Sequence, residues 1–97
     1  MLQRLVRGTY VYSGQEDLTE DVLSDFEHYI GKRPSKYCNG NVIDFHLNGI
    51  GMDCTMTRGN GRLVFEFSVP PGHDEEVGQV GSMLLKRGFR LDVSDRK

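Results

Sequence analysis

The sequence predicts an α+β protein, a two-layer sandwich in which two helices cover one face of an antiparallel sheet. Three observations lead to this prediction. An apolar stripe with helical spacing lies near the N-terminus, three successive segments alternate between apolar and polar residues, and a second helical pattern precedes a last alternating segment. Because 97 residues are an ordinary length for one domain, we expect residues 1–97 to fold as a single α+β domain.

A strand and then a helix are predicted in the first third of the chain. Residues 9–13 (TYVYS) are β-branched and aromatic, which is typical of a strand, and this strand extends back towards Leu5. In the following helix, apolar residues recur every four positions, at Leu18, Val22, Phe26 and Ile30. Asp17 or Thr19 can cap the helix N-terminus, and Gly31 supplies the C-terminal stop.

Three strands of an antiparallel meander are predicted after a loop that runs through Gly40. Their inward positions are Ile43, Phe45 and Leu47, then Met52, Cys54 and Met56, then Leu63, Phe65, Phe67 and Val69. Asn48-Gly49 and Asn60-Gly61 are signals for tight hairpin turns between these strands. The alternation leaves an open polar face of the sheet, formed by Asp44, His46, Asp53, Thr55, Thr57, Arg62, Glu66 and Ser68.

A second helix is predicted over about residues 74–87, with Asp74 as its N-cap and Gly88 as its stop. Its inner stripe consists of Val77, Val80 and Leu84. Gly78 and Gly81 each cost about 1 kcal/mol relative to Ala, and we expect them to allow close packing of this helix on the sheet. A last strand alternates at Phe89, Leu91 and Val93. The predicted order is therefore βαβββαβ, close to the ferredoxin-like plan.

The amino-acid composition argues against several classes of protein. Apolar content of 37% and charged content of 27% are typical of a folded globular domain. A pI near 5.9 argues against a dedicated nucleic-acid binder, and no segment is apolar enough to span a bilayer or act as a signal peptide. We therefore expect a cytoplasmic protein with no membrane partner. Cys38 and Cys54 should be free thiols, with Cys54 buried and Cys38 in an exposed loop.

The strongest functional signal is a run of acidic residues along the first helix. It comprises Glu16, Asp17, Glu20, Asp21, Asp25 and Glu27, with no Lys or Arg among them. Such a surface attracts basic partners, so we predict a protein-binding module that inhibits or regulates a basic, nucleic-acid-handling protein. The alternative interpretation is a solvated face that keeps a small domain soluble.

A partial resemblance to the RNA-recognition motif is carried by three short segments. Residues 9–14 (TYVYSG), followed by 18–21 (LTED), resemble the opening of that family, and residues 58–65 (RGNGRLVF) partly match its octapeptide. The octapeptide match places Asn60 and Arg62 where the family has stacking rings. The resemblance implies an alternative function, the binding of single-stranded nucleic acid. The residues for it would be Tyr10, Tyr12, Arg58 and Arg62.

A third alternative is a small ligand-binding domain or an enzyme that uses the open polar face. Asp44 and Asp53 lie on neighbouring predicted strands, where two adjacent carboxylates could perform acid–base chemistry or hold a cation. The three histidines have no zinc-ligand spacing with one another or with cysteine. We predict no catalytic residue, metal site or cofactor, and rank non-enzymatic protein binding first.

Overall fold

The structure, a computed structural model, describes residues 4–92. The elements are β1 (Val6–Tyr12), α1 (Thr19–Ile30), β2 (Ser35–Asn39), β3 (Val42–Leu47), β4 (Met52–Gly59), β5 (Arg62–Val69), α2 (Asp74–Lys86) and β6 (Arg90–Leu91). The six strands form one sheet in the order β2-β3-β4-β5-β1-β6, and every neighbouring pair is antiparallel.

The predicted class is confirmed, but the predicted order of elements is wrong. The chain follows βαββββαβ, and its sheet does not have the usual ferredoxin-like strand order. The segment assigned to a loop contains β2, which pairs with β3 across a two-residue turn at Gly40-Asn41. All five residues of β2 are exposed, so this edge strand lacks the alternation that revealed β3, β4 and β5. The dipeptide Gly40-Asn41 was the sequence signal that could have predicted this turn. In the structure Gly40 has a φ of +64°.

Both helices lie on the same side of the sheet and share one core with it. Phe26 of α1 lies with its ring centroid 6.2 Å from that of Phe65 on β5. Phe65 in turn lies 6.4 Å from Phe45 on β3, and all three side chains are fully buried. The buried residues of α2 belong to the same cluster, among them Val80 and Leu84. The alternation in β3, β4 and β5 therefore predicted the inward positions correctly.

The predicted C-terminal stops of the helices agree with the structure better than the predicted N-caps do. Gly31 ends α1 in the left-handed conformation, and its N–H donates to the carbonyl of Glu27 at 3.1 Å. The N-cap of α1 is Leu18, so the prediction of Asp17 or Thr19 is wrong. The carboxylate of Asp17 instead accepts a hydrogen bond from the N–H of Thr19, the first residue of the helix, at 3.0 Å. His73, not Asp74, is the N-cap of α2. None of the helices within residues 4–92 is long and apolar enough to cross a membrane.

The two predicted Asn-Gly turns differ in the structure. Asn60 and Gly61 have φ values of +55° and +75° and connect β4 to β5 directly, as a two-residue hairpin requires. Asn48-Gly49 instead begins a four-residue connection between β3 and β4. In that connection Gly51, at φ +68°, adopts the left-handed conformation.

The glycines of α2 also differ from each other. A Cβ on Gly81 would lie 2.6 Å from the hydroxyl oxygen of Tyr10 on β1, so the expected close packing is present there. Gly78 is exposed and has nothing within 4 Å of a Cβ position, so no packing contact explains it. After α2, Phe89 is buried and β6 contains two residues. The predicted contribution of Val93 lies outside the described residues.

Candidate functional site

The acidic run divides into two groups once the chain is folded. On the side of α1 nearest β2, Glu20 forms ion pairs with Arg33 and Lys36, both at 2.9 Å, and Glu27 pairs with Arg33 at 3.4 Å. The hydrogen bond and charge of Lys36 lower the pKa of Glu20, and Glu20 raises the pKa of Lys36. The run has no basic residue of its own, but the segment after the helix supplies the compensating charge.

A third acid of the run pairs with the end of α2. The carboxylate of Asp25 accepts two hydrogen bonds from the guanidinium of Arg87, at 2.8 and 3.0 Å. The bond to Asp25 raises the pKa of Arg87. The Asp25 side chain is only 13% exposed, so this pair is shielded from water better than those of Glu20. Three of the six acids are therefore matched by cations within the chain.

The other three acids, Glu16, Asp17 and Asp21, line one cleft of about 600 Å³ together with Tyr12. None of the three lies within ion-pair distance of a Lys or Arg among residues 4–92. Glu16 accepts a hydrogen bond from the Tyr12 hydroxyl, and this bond raises the pKa of Tyr12. Hydrogen bonds from Thr19 lower the pKa of Asp17.

Two cations, Lys86 and Arg87, also line this cavity, which we call the acidic cleft. Both are already engaged: Arg87 binds Asp25, and the ammonium of Lys86 lies 3.3 Å from the Tyr29 hydroxyl and 5.0 Å from the centre of its ring. Another cation, Arg58, donates to the carbonyl oxygens of Gly14 and Glu16 at 3.4 and 2.5 Å. Arg58 thereby holds the segment before α1 in place.

The proposed nucleic-acid residues do not lie on one surface. In the sheet register, Tyr10 is opposite Phe65 and Tyr12 is opposite Leu63, and both of these partners belong to the core. Directly opposed residues point to the same side, so both tyrosines face the helices. Burial raises the pKa of Tyr10 accordingly. Neither tyrosine is therefore placed to stack a base on the open face.

The two arginines of that set lie on opposite sides of the sheet. Arg58 is opposite the core residue Leu63, whereas Arg62 is opposite Gly59 and continues the open face with Val64. A single strand that lies on the open face would meet Arg62 without Tyr10, Tyr12 or Arg58.

The open polar face carries Asp44 and Asp53, the residues considered for a ligand-binding or enzymatic site, but their arrangement differs from the predicted one. Asp44 is opposite Thr55, whereas Asp53 is opposite His46 and lies 2.5 Å from its Nδ1. The two aspartates therefore occupy different rows, and the expectation of side-by-side carboxylates is wrong. Within residues 4–92, no group of three His, Cys, Asp or Glu side chains is placed to hold a metal ion.

Two surface cavities border this region. One, of about 220 Å³, is lined by Arg7, Asp53, Thr55, Glu66, Phe67 and Ser68. The other, of about 380 Å³, is lined by residues 32–35 between α1 and the start of β2, and by residues 46–49 at the end of β3.

The cysteines are both free, and their environments match the prediction. Cys54 is buried, and burial raises its pKa to about 12. Cys38 is exposed, on β2 rather than in a loop.

The sequence shows basic residues on both sides of the acidic run, but their ion pairs with half of the run were not predicted. Arg33 and Lys36 follow the helix stop, and this position was a usable signal because a chain that reverses there passes the helix it has just left. Arg87 is 62 residues from Asp25, and no local pattern connects them. Comparison of the chain with protein-family models, curated proteins and solved structures found no match.

Proposed function

We propose that this chain is a non-enzymatic protein-binding module that holds a basic segment of a partner protein in the acidic cleft. The observation that carries the proposal is the convergence of Glu16, Asp17 and Asp21 on one cavity without an intramolecular ion pair. The remaining acids of the same run are matched by Arg33, Lys36 and Arg87. Those matched acids leave less attraction for an external cation.

The chemistry of the cleft suits an arginine or lysine side chain. Carboxylates form the strongest hydrogen bonds that a guanidinium can make, and an aromatic ring such as Tyr12 also attracts cations. The cations that line the cleft, Lys86 and Arg87, form their direct contacts with Tyr29 and Asp25, while Asp21 acts on Arg87 through charge alone. A partner with a basic surface, as nucleic-acid-handling proteins have, would supply the ligand. Binding there would make the chain an inhibitor or regulator of such a partner.

A labelled oligo-arginine peptide tests the cleft without knowledge of the partner. The cleft variant is Glu16→Gln with Asp21→Asn, which removes two charges and leaves the hydrogen bond from the Thr19 N–H to Asp17 intact. The matched control is Glu20→Gln with Glu27→Gln, which removes the same charge from the paired side of α1. Fluorescence anisotropy then gives the affinity of each protein. Since a hydrogen bond to a charged group contributes about 1.5–3 kcal/mol, the cleft variant should bind at least about tenfold more weakly.

The control variant distinguishes binding in the acidic cleft from a general attraction to the negative charge of the protein. We expect the control variant to bind the peptide with the same affinity as the unchanged protein. A higher salt concentration should weaken peptide binding by both of these proteins. Equal losses in the two variants would mean that net charge alone attracts the peptide. Tighter binding of a labelled single-stranded RNA than of the peptide would support the nucleic-acid alternative instead.

A further inference from the structure

A mainly apolar band, made of three valines and one threonine that are each partly exposed, crosses the open face of the sheet. The register aligns Val42 on β3, Thr57 on β4, Val64 on β5 and Val11 on β1 in one row. Each is only partly buried, although the opposite side of the same strands forms the core. The helices do not cover this face, so the band has no partner within residues 4–92.

Opposite charges flank this band on β5. Arg62, Val64 and Glu66 are alternate residues of one strand, so all three point to the open face. Arg62 and Glu66 are exposed, and neither forms an ion pair within the part of the chain that the structure describes. The charges of α1 near β2, in contrast, are matched within the chain.

We propose that two copies of this chain pack open face against open face, with Val64 on the two-fold axis. The axis runs along the apolar band, across the strands, so that β5 of one copy lies antiparallel on β5 of the other. Val64 then contacts Val64 of the partner subunit. Arg62, one step along the strand, faces Glu66 of the partner subunit, and the symmetry repeats this ion pair on the other side of the axis.

The order of charges along β5 indicates that a second copy of the chain binds the open face. The sequence basic–apolar–acidic matches itself when the strand is reversed, so the same surface supplies both halves of the contact. An axis along the strand would place Glu66 on Glu66 of the partner subunit and Arg62 on Arg62 of the partner subunit, which repel. Aligned sheet packing crosses strands at roughly 30°, and residues this close to the axis stay within reach of long side chains.

The size of the face indicates a weak dimer. Four strands about 4.8 Å apart, each with about seven residues of about 3.4 Å, cover on the order of 500 Å² per copy. A standard stable interface buries about 800 Å² per partner. Arg90 continues the row at the sheet edge, where like charges of the two copies are screened by solvent. We therefore expect association in the micromolar range or weaker.

Sedimentation velocity over a range of protein concentrations tests the proposal, with three single variants. Glu66→Arg creates four facing arginines across the axis, and Arg62→Glu creates four facing glutamates. We expect each of these variants to be monomeric at concentrations where the unchanged protein dimerises. Glu75→Arg is the matched control, since Glu75 is exposed on α2, away from the open face. This control should dimerise normally.

An equimolar mixture of the two monomeric variants is the decisive measurement. Each interface position in the mixed pair then joins an arginine to a glutamate, so the mixture should form a heterodimer although neither component self-associates. A monomeric unchanged protein at millimolar concentration, or variants that dimerise as before, would overturn the proposal. So would a mixture that stays monomeric, with circular dichroism showing both variants folded. The oligo-arginine assay is independent of this interface, because the acidic cleft lies on the helix side.

Discussion

Arg87, immediately after α2, binds Asp25 of α1 through two parallel hydrogen bonds of 2.8 and 3.0 Å. This contact ties the end of one helix to the middle of the other, on the side of the sheet that carries the core. It also removes one of the acids that the sequence alone presents as part of a uniformly negative surface. Only 13% of the Asp25 side chain and 38% of the Arg87 side chain are exposed, so the pair should contribute to stability more than an ordinary surface ion pair does.

A double-mutant cycle measures the contribution of this pair. Asp25→Ala, Arg87→Ala and the double variant are compared by urea unfolding. We expect a coupling free energy of about 1–2 kcal/mol, between the value for an exposed pair and that for a charged hydrogen bond in a dry site. Arg87→Lys should recover only part of it, because an ammonium cannot reproduce the bidentate geometry. Additive effects of the two single substitutions would show that the pair is energetically inactive.

The two glycines of α2 should respond oppositely to replacement by alanine. Gly78 has free space around a Cβ position, so Gly78→Ala should stabilise the protein by about 0.8–1 kcal/mol through helix propensity. At Gly81 a Cβ would meet the hydroxyl of Tyr10 at 2.6 Å, so Gly81→Ala should give no gain or a loss. Thermal unfolding of the two variants measures the difference.

Tyr10→Phe supplies the control for Gly81. Without the hydroxyl, the nearest atom of the ring is the one that lies 3.6 Å from the Cβ position, an ordinary contact. In the Tyr10→Phe background, Gly81→Ala should therefore recover the propensity gain seen at Gly78. If Gly81→Ala is equally destabilising in both backgrounds, a contact other than the Tyr10 hydroxyl limits this position.

The turn between β4 and β5 provides another matched pair of glycines. Gly61 has a φ of +75° and no neighbour within 4 Å of a Cβ, so Gly61→Ala tests backbone conformation alone. We expect a loss of about 1–2 kcal/mol in the free energy of unfolding. Gly59 is also open to solvent but does not have a positive φ, so Gly59→Ala should be nearly neutral. Equal losses at both positions would mean that strand packing, not φ, controls the turn.

Thiol labelling should distinguish the two cysteines. Cys38 is exposed and should react with a thiol reagent in the folded protein, whereas Cys54 should react only after unfolding. Mass spectrometry of the labelled protein counts the modified sites under each condition. Labelling of neither thiol in denaturant without a reductant would indicate a disulfide.

The raised pKa of Cys54 predicts a loss of stability at alkaline pH. Burial moves this pKa from 9.0 to about 12, so the unfolded chain releases the thiol proton at a lower pH than the folded protein does. The stabilising contribution is therefore complete below about pH 9 and decreases as the pH rises towards 12, by about 1.4 kcal/mol per pH unit at most. Cys54→Ala should lower stability at neutral pH and show a shallower alkaline decline. Parallel declines in the two proteins would assign the effect to other groups.

Much of the fold could be predicted because it depends on local patterns. The four-residue spacing from Leu18 to Ile30 located α1, and Gly31 ended it where expected. Alternation identified the inward residues of β3, β4 and β5, including the buried Cys54. The edge strand β2 was missed because its residues are exposed on both sides, and its pairing with β3 depends on the turn at Gly40-Asn41.

The candidate site was predicted less completely, because charge pairing is not local. The acidic residues were identified, but three of them are neutralised by Arg33, Lys36 and Arg87. The aromatic residues of the first strand were also identified. Its sequence did not show on which side of the sheet Tyr10 and Tyr12 lie, because both sets of alternate positions in this strand contain apolar and polar groups.

The sequence by itself determined the helices, the inward faces of the central strands and the hairpin at Asn60-Gly61, since spacing and φ preferences act between neighbours along the chain. Only the tertiary structure decided which acids remain available, on which face the tyrosines lie, and that Val42, Thr57 and Val11 align with Val64 in one uncovered row. These features depend on strand register and on which distant segments meet. Both are set by the packing of the whole core, and no short stretch of sequence contains them.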